Sequence, residues 1–219
     1  MSGLERLTTN EQITVSEYDK MAHIWALTHD TQEFWTPEFE VFENLVSCNS
    51  SVVEFGAGGG RDARRLSQRY RYLGTDISSG LISEAKKINP QLYFRQADLY
   101  RLPFINSLFD GFWCSATLLH LPKNRVGEAL SEMNRVTKNN GTGFISIKEG
   151  QGETIVEDQL NGKSFRRFFA YYEQDEFSQI LEVNKFKVRD SYMKPVGRTN
   201  WLIYIVEKSK PNLKRYENN

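Results

Sequence analysis

Short apolar runs alternate with amphipathic stretches along most of the chain. "SVVEF", Ser51–Phe55, is an apolar run of strand length, and "RDARRLSQRY", Arg61–Tyr70, has helical composition. The pattern then predicts a strand over 72–77, a helix over 78–88 with Ser78 or Ser79 as N-cap, and a strand over 92–98. Further on it predicts a strand over 109–116 and a helix over 123–138. "KNNGTG" (138–143) reads as a turn with glycine at the helix end. A strand over 143–150, a helix over 173–184 and strands over 186–193 and 200–208 complete the series. Such alternation implies parallel strands with crossover helices on both faces, an α/β fold in three layers. The last two strands form a hairpin in this reading, because "KPVGRTN" is too short for a helical crossover. Upstream, residues 12–46 read as helical, with Pro37 opening a second helix and Tyr18, Trp25, Phe34, Trp35, Phe39 and Phe42 as the aromatic positions.

Composition narrows the function classes. Hydrophobic residues at 39% and aromatics at 13% are enough for a core and exclude global disorder. Lys plus Arg equals Asp plus Glu at 28 each, so nothing pulls the whole chain toward nucleic acid or an anionic membrane. Two cysteines, Cys48 and Cys114, are far apart and make no disulfide framework or zinc pattern, and His23, His29 and His120 have no ligand spacing. No metal is expected. The first residues lack a secretory pattern and no apolar run reaches the roughly 20 residues of a membrane helix. The expectation is a soluble, cytoplasmic protein, monomeric or homodimeric, without a membrane partner.

The candidate chemistry begins at "VVEFGAGGGRD" (52–62). Gly56, Gly58 and Gly60 follow an apolar strand and open a helix, where an α/β sheet binds nucleotide-like ligands. Asp76 ends the next strand about 20 positions on, the usual offset for a carboxylate that grips ribose hydroxyls. A dinucleotide fingerprint would need a third glycine at position 61, which is Arg61.

This G-x-G-x-G spacing resembles motif I of the class I S-adenosylmethionine-dependent methyltransferases, and later segments are similar to the same family. "QADLYRLPF" resembles the motif whose acid, here Asp98, bonds the adenine amino group, with Leu99 beside the ring. "SLFDGFWCSATLLHLP", "EMNRVTKNNGTGFISIKEG" and "RRFFAYYEQDEFSQILEVNKFKV" resemble the segments that follow, so the resemblance spans about residues 50–208. It implies a Rossmann-like, seven-stranded, mostly parallel sheet with the last strand antiparallel. It implies an N-terminal helical lid over 1–46 and a core over 47–209, and the polar residues 210–219 read as a flexible tail. The implied cofactor is S-adenosylmethionine, with S-adenosylhomocysteine as product. Its implied contacts are Glu54, Gly56, Ala57, Gly58, Gly60, Arg61, Asp76, Ile77, Asp98, Leu99 and Ser115. Ala57 and Gly59 depart from the residues common in that motif and are compatible with it.

Arg61 suits a carboxylate, yet Asp62 beside it offers an ordinary ion pair. His120 has the unperturbed range of a general base, and Tyr172 is a second candidate; a loop or cap histidine is the plainer reading. Lys148, Glu149, Arg166, Tyr171, Arg198 and Trp201 are candidates for the acceptor side, and Tyr18 and Trp25 belong to the lid. Cys114 reads as a small core residue, since methyl transfer from a sulfonium needs no enzyme nucleophile. The expected activity is methyl transfer to an O, N or S atom of a small molecule. Three alternatives are a protein or tRNA acceptor read by Arg166, Arg167 and Arg198, a non-catalytic scaffold that keeps the cofactor site, and an NAD-dependent oxidoreductase.

Overall fold

The computed structural model describes residues 6–30 and 34–210. Its first helices are α1 (Thr9–Thr28) and α2 (Thr36–Leu45). The sheet then builds from β1 (Ser51–Phe55), β2 (Arg71–Asp76), β3 (Phe94–Gln96), β4 (Phe109–Ser115), β5 (Thr137–Lys148), β8 (Phe186–Val196) and β9 (Thr199–Lys208). Helices α3 (Ala63–Arg69), α4 (Ser79–Ile88), α5 (Val126–Val136) and α6 (Gln174–Val183) lie between them. The strand order is β3-β2-β1-β4-β5-β9-β8. Pairing is parallel from β3 to β5, while β9, the last strand, runs antiparallel to both β5 and β8. A two-stranded sheet, β6 (Glu153–Leu160) with β7 (Lys163–Ala170), stands apart from the seven.

Alternation along the central strands divides the core into two faces. Phe112 and Cys114 of β4 join Ile145, Ile147, Leu202 and Tyr204 in the cluster that receives α5 and α6. Trp113, between them, joins Phe144, Ile203 and Ile205 in the cluster that receives α2, α3 and α4. The stripe Val126, Ala129, Leu130, Met133 and Val136 recurs at helical spacing, which is why α5 buries one side. Phe112 is fully buried, so truncation to alanine would cost about 3–5 kcal/mol.

The helix α1 crosses the carboxyl ends of the parallel strands. Thr8 and Glu11 form a capping box at its start. Glu11 also accepts hydrogen bonds from the Tyr100 hydroxyl at 2.6 Å and Arg125 Nη1 at 3.1 Å. In the middle, Thr14 Oγ1 accepts from Phe168 N at 2.9 Å, and Asp19 accepts from Ser78 Oγ at 2.6 Å and Gly80 N at 2.8 Å. By contrast α2 is not a cover: Phe39 stacks on Trp113 at 4.2 Å inside the sheet layer. Of the two N-terminal helices, α1 thus lies over the strand ends and α2 packs into the core.

Two expectations change. The 138–143 segment is no free turn with a glycine cap; Thr137 already pairs with Phe109, and the left-handed residue is Asn140. The chain needs the extra residues to pass the register shift between Phe109 and Gly111. The hairpin β6–β7 was not expected, although Asn161–Gly162, both at positive φ, is the strongest two-residue hairpin signal. Of the expected flexible tail, residues 211–219 lie outside the described residues.

Candidate active site

The glycine loop leaves β1 through backbone that side chains rarely adopt. Gly56 has φ +73°, and a Cβ there would stand 2.0 Å from Thr117 Oγ1. Gly58 has φ +55° with nothing within 4 Å of a Cβ position, so the loop presents open backbone to the cavity. The Asp76 carboxylate, at the end of β2, accepts from Gly58 N and from Ser78 N, each at 2.9 Å. These bonds orient it and leave lone pairs free. Burial raises its pKa against the pull of the two amides.

Past β3, Asp98 Oδ1 accepts from Tyr100 N at 2.9 Å, while Oδ2 is buried with no partner. Burial raises this carboxyl too. An orphaned buried acceptor costs stability unless a ligand or water satisfies it. Behind the loop, Tyr72 donates its hydroxyl proton to Glu54, whose pKa is held well above the usual range by burial and by Asp62. Arg61 donates to both oxygens of Asp62, at 2.6 and 2.8 Å, and Trp113 Nε1 donates to the same carboxylate at 3.0 Å.

All of this opens onto one cavity of about 420 Å³. Sheet order divides it. Asp98, Asp76 and the glycine loop stand at the ends of β3, β2 and β1; Ser115, Lys148 and Trp201 stand at β4, β5 and β9. Over the second half, α1 and β7 supply a chain of bonds. Arg167 Nη1 donates to the Tyr18 oxygen at 3.1 Å, and Tyr18 lies 3.0 Å from His120 Nε2. His120 Nδ1 is 2.7 Å from the Phe168 carbonyl, which can only accept. The imidazole therefore carries its proton on Nδ1, and the Tyr18 hydroxyl donates to Nε2. Burial, reinforced by Arg167, pushes the His120 pKa down to about 3, so the ring is neutral at pH 7.

The cavity gathers Glu54, Gly56, Ala57, Gly58, Arg61, Asp76, Ile77, Asp98, Leu99 and Ser115 from the expected cofactor set, with His120, Lys148 and Trp201 from the others. Gly60 lies just behind the lining, against Asn89. Tyr172 is displaced from the site: it is fully buried in the α5–α6 face beside Phe177, its hydroxyl unpartnered and Lys123 4.7 Å from its ring centre. Glu149 is also outside the lining, tied by its backbone to Asn200. Tyr171 stacks behind Phe169, and Arg198 is exposed in the β8–β9 turn. Arg166 and Arg167 take opposite faces of β7: Arg166 is exposed near Glu17, while Arg167 turns inward to pair with Asp158. They do not form one basic surface with Arg198.

Residues the motifs missed are Asp62 and Thr117, both on the cavity, which Arg167, named above for a macromolecular acceptor, and Phe169 also line. Alternation along 163–170 would have put Phe165, Arg167 and Phe169 on one face, had the Asn161–Gly162 turn been used. Among the described residues no group of three or more His, Cys, Asp and Glu could hold a metal, and no helix is long and apolar enough to cross a membrane.

The residues fit an adenosyl ligand: an open glycine backbone, a carboxylate with spare lone pairs, and the unsatisfied Asp98 Oδ2 share one cavity. With the strand order, they define the class I methyltransferase fold, whose cofactor is S-adenosylmethionine. Residues 52–141 match the family model described as methyltransferase domain.

Among relatives, it is 29% identical over 142 residues to the malonyl-[acyl-carrier protein] O-methyltransferase of Buchnera aphidicola, covering 62% of this chain and 52% of that protein. The chain thus spans about half the length of that relative. It is 24% identical over 204 residues to the ubiquinone/menaquinone biosynthesis C-methyltransferase of Rickettsia bellii, covering 84% of this chain and 78% of that one. A similar crystal structure is the Burkholderia thailandensis 1,6-didemethyltoxoflavin N1-methyltransferase with bound 1,6-didemethyltoxoflavin and S-adenosylhomocysteine. The TM-score is 0.70 at 17% identity, with 93% of this chain and 92% of that chain covered.

Proposed function

We propose that this chain transfers the methyl group of S-adenosylmethionine to a small-molecule acceptor in the half of the cavity framed by α1, β5 and β7. The observation that carries it is the meeting, in a single cavity, of the Asp76–Gly58 bond and the unsatisfied Asp98 with a second, aromatic and polar chamber. Relatives named for O- and C-methylation support a small acceptor and add carbon to the O, N and S atoms expected from the sequence.

Asp76 would accept from the ribose hydroxyls and Asp98 from the adenine amino group, with Leu99 against the ring. When bound, the cofactor supplies a methyl carbon activated by sulfonium charge; its carbon–sulfur bond breaks with the electron pair left on sulfur as the acceptor's lone pair forms the new bond. The protein's part is alignment and exclusion of water, up to about 7–11 kcal/mol in the best intramolecular cases. With its pKa pushed to about 3, His120 is a poor base and acts by holding the Tyr18 hydroxyl in place. Tyr18 in turn fixes α1 across the acceptor chamber.

Calorimetric titration with S-adenosylmethionine, with NAD in parallel, tests the reading. Micromolar binding of the first and none of the second is expected. Binding of NAD alone would overturn it, as would binding of neither by a folded sample.

A further inference from the structure

Among the described residues, every cation lining the acceptor side of the cavity except Lys148 has an anionic partner. Arg61 is paired with Asp62, and Arg167 with Asp158. Lys148, at the end of β5, is half-buried, and among the described residues its ammonium makes no hydrogen bond or ion pair. What surrounds it is aromatic: Nζ sits 4.0 Å from the centre of the Phe169 ring and 6.0 Å from that of Trp201. The Arg167 guanidinium lies 5.0 Å from the centre of the same Phe169 ring. Its Nε is buried without an acceptor. The rings of Trp25, stacked on His29 at 3.7 Å, and of Phe34, edge-on to Trp201 at 6.2 Å, complete flat walls around this corner. The corner thus combines a positive charge with no hydrogen bond or ion pair of its own, a second unused donor and planar apolar walls.

We propose that this corner recognises the acceptor as a compact planar carboxylate, one oxygen taken by Lys148 Nζ and the other by Arg167 Nε, with the flat body against Phe169 and Trp201. The proposal rests on the reading of the cavity as a small-molecule acceptor chamber. A carboxylate offers a separate oxygen to each of the two donors, whereas a phenolate would have to serve both with one oxygen. Burial and the nearby Arg167 lower the Lys148 pKa against the weaker pull of Asp158, which is itself paired with Arg167. Cation–π contacts hold the ammonium in place meanwhile but supply no hydrogen-bond acceptor.

The test titrates 4-hydroxybenzoate and its neutral isostere 4-hydroxybenzamide into the full chain, with and without S-adenosylhomocysteine, followed by tryptophan fluorescence and calorimetry. The expected result is at least tenfold tighter binding of the carboxylate. That preference disappears in Lys148→Met and is kept in Lys148→Arg, with circular dichroism checking that both variants fold. Equal affinity for the two probes, binding of neither, or a preference unchanged in Lys148→Met overturns the proposal. S-adenosylhomocysteine binding is read in the same samples. If it binds and the preference is absent, the carboxylate pocket falls while the transferase reading stands. If it does not bind, that reading falls, and the probe titration of the free protein still decides the pocket.

Discussion

Tyr18 and His120 are 102 residues apart in sequence and meet at 3.0 Å across the cavity. The bond joins α1 to the short helical turn after β4, and Arg167 of β7 donates to the same tyrosine oxygen. Three segments that do not touch in sequence thus converge on one phenol.

Tyr18→Phe is expected to leave His120 Nε2 and Arg167 Nη1 without this partner. The cost is about 1–3 kcal/mol of stability, because both groups stay buried. Urea denaturation measures it. The turnover number should drop at least tenfold while cofactor affinity stays within a factor of two or three. Equal losses in both would mean that Tyr18 serves only the fold.

Asp76→Ala removes the acceptor that ties Gly58 to Ser78. S-adenosylmethionine affinity should fall by about 10- to 100-fold, in line with a charge-assisted hydrogen bond of about 1.5–3 kcal/mol. Calorimetry on the folded variant reads this directly. An unchanged dissociation constant would remove the ribose assignment.

Two glycines of one loop should respond differently to the same methyl group. Gly56→Ala would drive its Cβ into Thr117, whose hydroxyl also donates to the Phe55 and Ser115 carbonyls. Destabilisation of more than about 2 kcal/mol is expected from overpacking on top of the positive φ. Gly58→Ala meets nothing, so only the left-handed cost of about 1–2 kcal/mol remains in folding, and the larger effect should be on cofactor binding. Thermal melts with and without cofactor separate the two.

His120 makes stability depend on pH in a defined sense. Its folded pKa, near 3, lies below the value of about 6.5 expected when unfolded. Between these values the unfolded chain binds a proton that the folded one refuses. The neutral ring's contribution is therefore fully present above about pH 6.5 and is lost as pH falls toward 3. The slope is at most about 1.4 kcal/mol per pH unit. The stability difference between wild type and His120→Gln should be flat above pH 7 and shrink steadily below 6.5. A flat difference down to pH 4 would contradict the burial argument.

Local pattern and spacing determined much of this protein. The apolar run Ser51–Phe55, the glycines after it and Asp76 about 20 positions on follow from chain-local rules, because a strand, its turn and the next strand end form one continuous unit. The same holds for Ser78, which caps α4 as expected. What the sequence could not decide was which way a side chain faces once strands from distant segments pair. Tyr172 and Phe169 are three residues apart; one is sealed among Phe177 and Leu181, while the other walls the cavity. Arg166 and Arg167 are neighbours, and only the pairing of β7 with β6 turns one outward and the other onto Tyr18. The unusual state of His120 has the same origin. Its pKa depends on desolvation by α1 and β7 and on the charge of Arg167, all supplied by tertiary packing. Periodicity fixes the phase within an element, but the environment that shifts a charge or makes a pocket exists only where elements meet.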